Sequence, residues 1–487
     1  MGNVLSALQP SLLWKHFEAL SECPRPSKKE EKVVRYVLDF LNSKQMDYSV
    51  DGVGNIIVRI PATPGYEDRK TIILQGHLDM VCEMNKGTEH DFDNDPIKLQ
   101  VKGDWVTATG TTLGADNGIG VAAALAISED PTIEHGPLEI LMTLDEETGM
   151  TGAAGLDASL LKGTIMLNLD SEEDGAFYIG CSGGIDTQAS FPITRSAQYP
   201  DAEVLEVSVT GFKGGHSGLE IHLQKGNAIK QLSRFLLNRY KAGNVFGLIS
   251  LEGGSKRNAI PREAFATIIV PKSDIATWSE AAKNFFTKLS NEFGNVEPDV
   301  KVTVAQTTTE LGVISDAQTL TIVRALASQH HGVVKMSYDI PELVETSTNL
   351  AIVHTAENSI DVATSQRSSV DSEKRDIQQR VAAIFELAGA SVTQGDGYPG
   401  WQPDVHSEIL GVAKTTFKDL FGSEPHIKAI HAGLECGIIK EKYPSIDMLS
   451  FGPTITGAHS PDEQVNVPTV EKFWNLLTAV IKNVPKK

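Results

Sequence analysis

Cysteine is scarce in this chain: four thiols among 487 residues, Cys23, Cys82, Cys181 and Cys436, with no CxxC pair. That excludes a disulfide framework and a cysteine-type zinc knuckle, and suits buried or inert thiols in a reducing cytosol. Long apolar runs are missing too: no stretch reaches the roughly 18–20 residues that a membrane span needs. Residues 1–22 lack the charged-then-apolar layout of a signal peptide and read as an amphipathic helix before a proline-rich turn, Cys23-Pro-Arg-Pro26. Positive charge is in deficit, with 43 Lys and Arg against 63 Asp and Glu, a net charge of -20. Nucleic acid and anionic membranes are therefore excluded as partners. The expected location is the cytoplasm.

What remains is ordinary for a globular protein, 41% hydrophobic and 22% charged, and long enough for two or more domains. Up to about residue 186, apolar strands and helices alternate. Strands are predicted at 55–60, 71–74, 138–144 and 164–169, and helices at 32–42, 118–127 and 158–161. Such alternation implies an α/β sheet covered by helices, with ligands gathering at the carboxyl ends of its strands. From about 191 the style changes. Strand 204–210, helix 226–240, strand 264–270 and helix 275–293 precede what reads as a recurrence: strand 300–305, helix 316–329, strands near 351 and at 359–365, and helix 371–387. These are expected to form two related α+β halves of an inserted lid or dimerisation domain, 187–401. The turn-rich segment 393–404 reads as a return linker. Helix 405–421, strand 427–430, a glycine-containing loop at 432–437, strand 447–451 and helix 467–482 then resume the α/β style. The expected catalytic domain is thus discontinuous, 1–186 and 402–487.

Five segments of the α/β part carry polar chemistry. His77-Leu-Asp79 ends a buried strand, where period-two geometry turns both side chains the same way. Asp116-Asn117-Gly118 opens a helix, and alone Asp116 reads equally as its cap. Asp145-Glu146-Glu147 follows another buried strand, where one carboxylate can bind metal and another take a proton; the residues leave open which does which. Asp170 ends a further strand, and His459 lies in the loop Gly457-Ala-His-Ser-Pro-Asp-Glu463. Imidazoles and carboxylates without cysteine suit Zn²⁺, Mn²⁺ or Co²⁺. Five such ligands suffice for two ions if one Asp is shared, the arrangement that activates water for hydrolysis.

These segments resemble the co-catalytic zinc peptidases, the family of carnosinases, peptidase T, aminoacylases and glutamate carboxypeptidases. Gln75-Gly-His-Leu-Asp-Met-Val-Cys82, Thr112-Leu-Gly-Ala-Asp-Asn-Gly118, His431-Ala-Gly-Leu-Glu-Cys-Gly437 and Ser450-Phe-Gly-Pro453 resemble its bacterial cytosolic branch acting on aminoacyl-histidine dipeptides. The resemblance implies a zinc-peptidase-like catalytic domain with a mixed sheet. It implies that His77 and Asp170 bind one ion, Glu147 and His459 the other, and Asp116 both. Asp79 would buttress His77, and Glu146 would be the general base.

The ions implied are two, Zn²⁺ first, with Mn²⁺ or Co²⁺ able to substitute. His216, in Gly214-Gly-His-Ser-Gly218, would meet the oxyanion. Asn258 would approach the substrate, and Arg367 would pair with its terminal carboxylate. Glu435 would greet its amino group, because its loop should lie near the metals. The implied reaction is hydrolysis of unblocked dipeptides, preferentially Xaa-His such as β-Ala-His, by a homodimer joined through the lid. Alternatives on this scaffold are a tripeptidase, an N-acyl amino acid deacylase or a non-catalytic binding protein.

Overall fold

In a computed structural model the protein is described over residues 4–157 and 159–487. It divides into two compact units, one of Met1–Cys181, Trp401–Ala429 and Leu434–Lys487, the other of Ser182–Gly400 and Ile430–Gly433. All four cysteines are free thiols. Among the described residues no helix is long and apolar enough to cross a membrane.

The first unit is built on an eight-stranded sheet. Its strands lie in the order Asp47–Val50, Ile56–Ile60, Leu138–Thr143, Ile72–His77, Ile165–Asn168, Asp447–Ser450, Ala176–Cys181 and His426–Ile430. The four in the middle, Leu138–Thr143 through Asp447–Ser450, run parallel. Strands buried on both faces read as continuous apolar runs, and Ile72–His77 and Leu138–Thr143 are buried at every residue. Because these strands share a direction, His77, Thr143, Asn168 and Ser450 all end at one edge. The segments carrying Asp79, Glu146 and Glu147, and Asp170 leave from there.

The helix Ala115–Glu129 packs on this sheet and on the helix Ser11–Ser21. Its residues are small and apolar and its middle is buried all round, so it has no polar face to turn outward. A separate four-stranded sheet orders Ile455–Thr456, Gln464–Asn466, Trp105–Ala108 and Leu99–Lys102. Pairing of Gln464 with Thr107 and Val465 with Val106 brings the 457–463 loop beside the segment leading into residue 115.

Local expectations needed correction here. The N-terminal helix spans Ser11–Ser21 only, starting behind Pro10. The helix expected at 158–161 is a turn from residue 159, because the Asp157 carboxylate accepts from Ser159 N (2.9 Å) and Oγ (2.8 Å) and competes with helical bonding; Ala158 lies outside the described residues. The loop expected through residue 437 ends sooner, since Glu435 opens the helix Glu435–Lys442.

The second unit carries a nine-stranded sheet. From one edge to the middle come Lys301–Gln306, Ala202–Thr210, Ala264–Pro271 and Gly247–Gly253. From the other come Ser391–Gln394, Gly183–Pro192, Ser359–Ser368 and Val344–Thr355, with Gly332–Met336 beside the last. Numbered within each half with the side strand Gly332–Met336 left out, both sequences run fourth, first, third, second, and the two second strands meet at Gly253 and Val353. The strand at 300–305 therefore closes the first half, pairing with Ala202–Thr210, and does not open the second. The second half opens with Gly183–Pro192, and the whole first half is inserted between that strand and the helix Asp316–Ser328. Residue 186 falls inside this opening strand, and the unit begins at Ser182. The turn-rich 393–404 segment starts as strand, with Thr393 paired to Gln188.

The apolar core of this unit includes Trp278, fully buried between the rings of Phe235 (5.8 Å) and Phe246 (5.3 Å). Trp278→Ala is expected to cost about 3–5 kcal/mol, measured by denaturant unfolding of the intact chain. A loss below about 0.5 kcal/mol, the range of a surface change, would contradict that placement.

Candidate metal centre

His77 is held from behind. Its Nδ1 lies 3.1 Å from the Asp79 carbonyl oxygen and 3.4 Å from Asp79 Oδ1. With acceptors on that side, Nδ1 donates a proton backward, which leaves Nε2 as the nitrogen pointing forward, where a metal ion would displace its proton. Forward of it stand Asp116 Oδ1 at 3.1 Å and Asp170 Oδ1 at 3.3 Å. The other Asp116 oxygen lies 3.2 Å from His459 Nε2, which is 3.0 Å from Glu147 Oε2. Three groups of potential ligand atoms result, each within 4.8 Å: His77, Asp116 and Asp170; Asp116, Glu147 and His459; and His77, Glu146 and Glu147. Asp116, His77 and Glu147 are each shared between two groups, and only Asp116 has its two oxygens turned toward different imidazoles.

The electrostatics of this cluster call for cations. Burial pushes the Glu146 carboxyl well above its usual range, reinforced by Asp170, Glu435 and Glu147. Burial likewise raises Asp170. Hydrogen bonds to Asp116 and Glu147 push the His459 imidazole up to about 11. Glu147 Oε1 is buried with no hydrogen-bond partner, an arrangement that costs free energy unless something positive meets it. Hard oxygens and imidazole nitrogens without a thiolate fit divalent Zn²⁺, Mn²⁺ or Co²⁺.

The turn Glu146–Gly149 is fixed by Asp79. Buried completely, its carboxylate accepts from Ser27 Oγ (2.7 Å), Glu146 N (3.0 Å) and Glu147 N (3.2 Å). Asp79 thus orients both His77 and the acidic pair. The adjacent Asp145 is occupied otherwise: its carboxylate accepts from the hydroxyls of Thr148 and Thr151 (2.6 Å for the latter). That removes it from the choice among three neighbouring acids that residue type alone left open.

Sequence reasoning missed two supporting charges. Glu463, 2% exposed, accepts four backbone N–H groups: Leu113 (2.7 Å) and Gly114 (2.9 Å) on Oε2, Ala115 (2.7 Å) and Asp116 (3.3 Å) on Oε1. Arg25, equally buried, donates to the carbonyls of Leu78 and Asp79 (3.1 Å each) and of Gly114. Both were visible as letters, Arg25 within a proline-rich turn and Glu463 four residues beyond His459. No local pattern tied either to the site.

Glu435, expected to meet a substrate amino group, is enclosed. It is 1% exposed, and Oε2 accepts from Gln75 Nε2 (2.7 Å) and Thr143 Oγ1 (2.6 Å). Burial pushes its carboxyl up to about 7. It braces the ends of two parallel strands just before His77 and the acidic turn, and the helix it opens is what turns it inward.

The remaining predicted residues lie in the second unit. His216 and Asn258 are neighbours because Gly215–His216 pairs with Ala259–Ile260 and Ser217 N donates to Asn258 O (2.8 Å). His216 Nδ1 accepts from Gly218 N (3.2 Å) and Leu219 N (3.0 Å), which leaves Nε2 as the protonated nitrogen of the neutral ring. Burial, then the nearby Arg367, lowers its pKa. Arg367 donates to Tyr398 Oη at 2.9 Å. A further histidine, His431, bridges Ser182 Oγ and Ser347 Oγ at 2.7 Å each and is pushed down to about 3 by burial and then by Arg367.

The chain is 42% identical, over 99% of both sequences, to the cytosol non-specific dipeptidase of Escherichia coli strain K12. Its structure resembles that of an aminoacylhistidine dipeptidase from Vibrio alginolyticus, with a TM-score of 0.94, 43% identity and coverage of 99% and 98% of the two chains. A tripeptidase from Staphylococcus aureus shares the fold at a TM-score of 0.58 and 15% identity over 98% of both chains. Residues 73–483 match the model of peptidase family M20/M25/M40, and the chain is an enzyme belonging to that family.

Proposed function

We propose that this protein is a metallodipeptidase hydrolysing unblocked dipeptides, with Xaa-His substrates such as β-Ala-His preferred. The observation that carries the reading is the sharing of Asp116 between two ligand groups at one sheet edge, with Glu146 alongside. His77, Asp116 and Asp170 would hold one divalent ion, Zn²⁺ first, and Asp116, Glu147 and His459 the other. Bound there, the ions supply a lowered water pKa and positive charge for the carbonyl oxygen.

The chain's own groups do the rest. Asp79 fixes the His77 tautomer and pins the acidic turn. Glu146 takes a proton from the attacking water at its carboxylate and returns it to the leaving amine nitrogen. In the second unit, His216 offers an Nε2–H suited to a developing oxyanion, Asn258 stands beside it, and Arg367 suits a terminal carboxylate. We assign substrate contacts to these three, and homodimer formation to the same unit. A cytoplasmic location fits the Escherichia coli relative, a cytosol dipeptidase.

The test is a panel of β-Ala-His, Ala-Ala, a tripeptide and an N-acetyl amino acid, assayed with Zn²⁺ or Mn²⁺. Turnover of both dipeptides, with the histidine substrate faster, is expected. Equal rates on the two dipeptides would remove the histidine preference, and turnover of only the blocked substrate would end the dipeptidase reading.

A further inference from the structure

We infer that Glu463 is a positioning residue that presets the two-ion site by locking the Asp116 loop to the His459 loop. Four consecutive backbone N–H groups, Leu113 to Asp116, converge on its two oxygens. Carboxylates binding several backbone donors make strong, charge-assisted hydrogen bonds, and few side chains could satisfy all four at once. Glu463 also belongs to the short loop that carries His459, between the paired strands Ile455–Thr456 and Gln464–Asn466. Its own carbonyl is tied by Thr107 Oγ1 at 3.1 Å. One side chain therefore sets the distance between the backbones of two residues whose side chains meet at Asp116 Oδ2 and His459 Nε2, 3.2 Å apart.

Substitution by Gln preserves size but turns an NH₂ group toward two of the four N–H donors. One pair of bonds is lost and a donor–donor clash replaces it. The group of Asp116, Glu147 and His459 depends on both loops, whereas His77 and Asp170 are placed by sheet strands. Loss of Glu463 should therefore weaken one ion position more than the other.

The inference rests on the two-ion reading, and the experiment separates the two. Apoprotein is titrated with Co²⁺ and followed by the visible absorption of the bound ion. Wild type is expected to bind two equivalents. E463Q should bind the first with the smaller loss, because Asp116 also serves that ion, and the second about 10- to 100-fold more weakly, the usual cost of removing a residue that supports a metal ligand. E139Q is the comparison. Glu139 is another buried carboxylate of this unit, accepting from Lys162 N and Gly163 N near the opposite end of its strand. It should leave both affinities unchanged.

Should E463Q fail to fold, hydrogen exchange on wild-type apoprotein decides. Amides 113–116 should be protected before any metal is added; their free exchange would overturn the inference. Two equivalents bound by E463Q with wild-type affinities, or equal weakening in E139Q, would also overturn it while sparing the metal reading. Wild type that takes up no cobalt overturns both.

Discussion

Glu146→Gln is expected to lower kcat by about 10²- to 10⁴-fold, the contribution of a positioned acid–base group, while both metal equivalents remain bound. The carboxamide keeps the shape of the side chain but accepts no proton at neutral pH. The turn itself should survive, because Asp79 holds it through the backbone N–H groups of residues 146 and 147. The measurement is informative because Glu146 also stands in one ligand group, with His77 and Glu147. Metal analysis of the purified variant distinguishes the roles. Loss of one equivalent would make Glu146 a ligand and leave the base unassigned; two equivalents with wild-type kcat would remove it from the chemistry.

Asp116→Ala is expected to cost more than loss of any other single ligand. Its two oxygens face different imidazoles, Oδ1 toward His77 and Oδ2 toward His459. Removing it strips both positions of a ligand, so bound metal should fall below one equivalent per chain. Metal-ion charge stabilisation is worth several kcal/mol, and each 1.36 kcal/mol is a factor of ten in rate. A fall in kcat/KM of at least about 10³-fold follows. Asp170→Ala, which touches one ion group only, should lose about one equivalent. Equal stoichiometries in the two variants would show that Asp116 is not shared.

The ligand loops were legible because of a simple physical regularity. Strands buried on both faces are continuous apolar runs, and a polar residue just past such a run marks the end of the strand. His77, the 145–147 acids and Asp170 all obey it. Glu463 and Arg25 do not, since a carboxylate or guanidinium serving distant backbone groups carries no periodicity. Short strands such as Gln464–Asn466 and Trp105–Ala108 are equally silent, although their pairing brings His459 to Asp116. The division of labour among Asp145, Glu146 and Glu147 needed the Thr148 and Thr151 hydroxyls, which lie beyond the acidic triplet. The setting of Glu435 was not legible, because the Gln75 and Thr143 partners that hold it lie on strands far away in the sequence. The second unit's opening strand escaped notice because its continuation lies beyond an entire inserted half.

The strand order of the first unit has a consequence for how the molecule is made. Ile165–Asn168 and Ala176–Cys181 are close in sequence but do not adjoin in the sheet; Asp447–Ser450 fills the lane between them. During synthesis from the N-terminus, that lane stays open until residues 447–450 have emerged, more than 260 residues after Ala176–Cys181. Closing so distant a contact carries a loop-entropy cost and slows folding. Asp170 borders the vacant lane, and His459 is translated after the strand that fills it. A nascent chain therefore has no complete site until the strand Asp447–Ser450 and the loop carrying His459 have emerged from the ribosome.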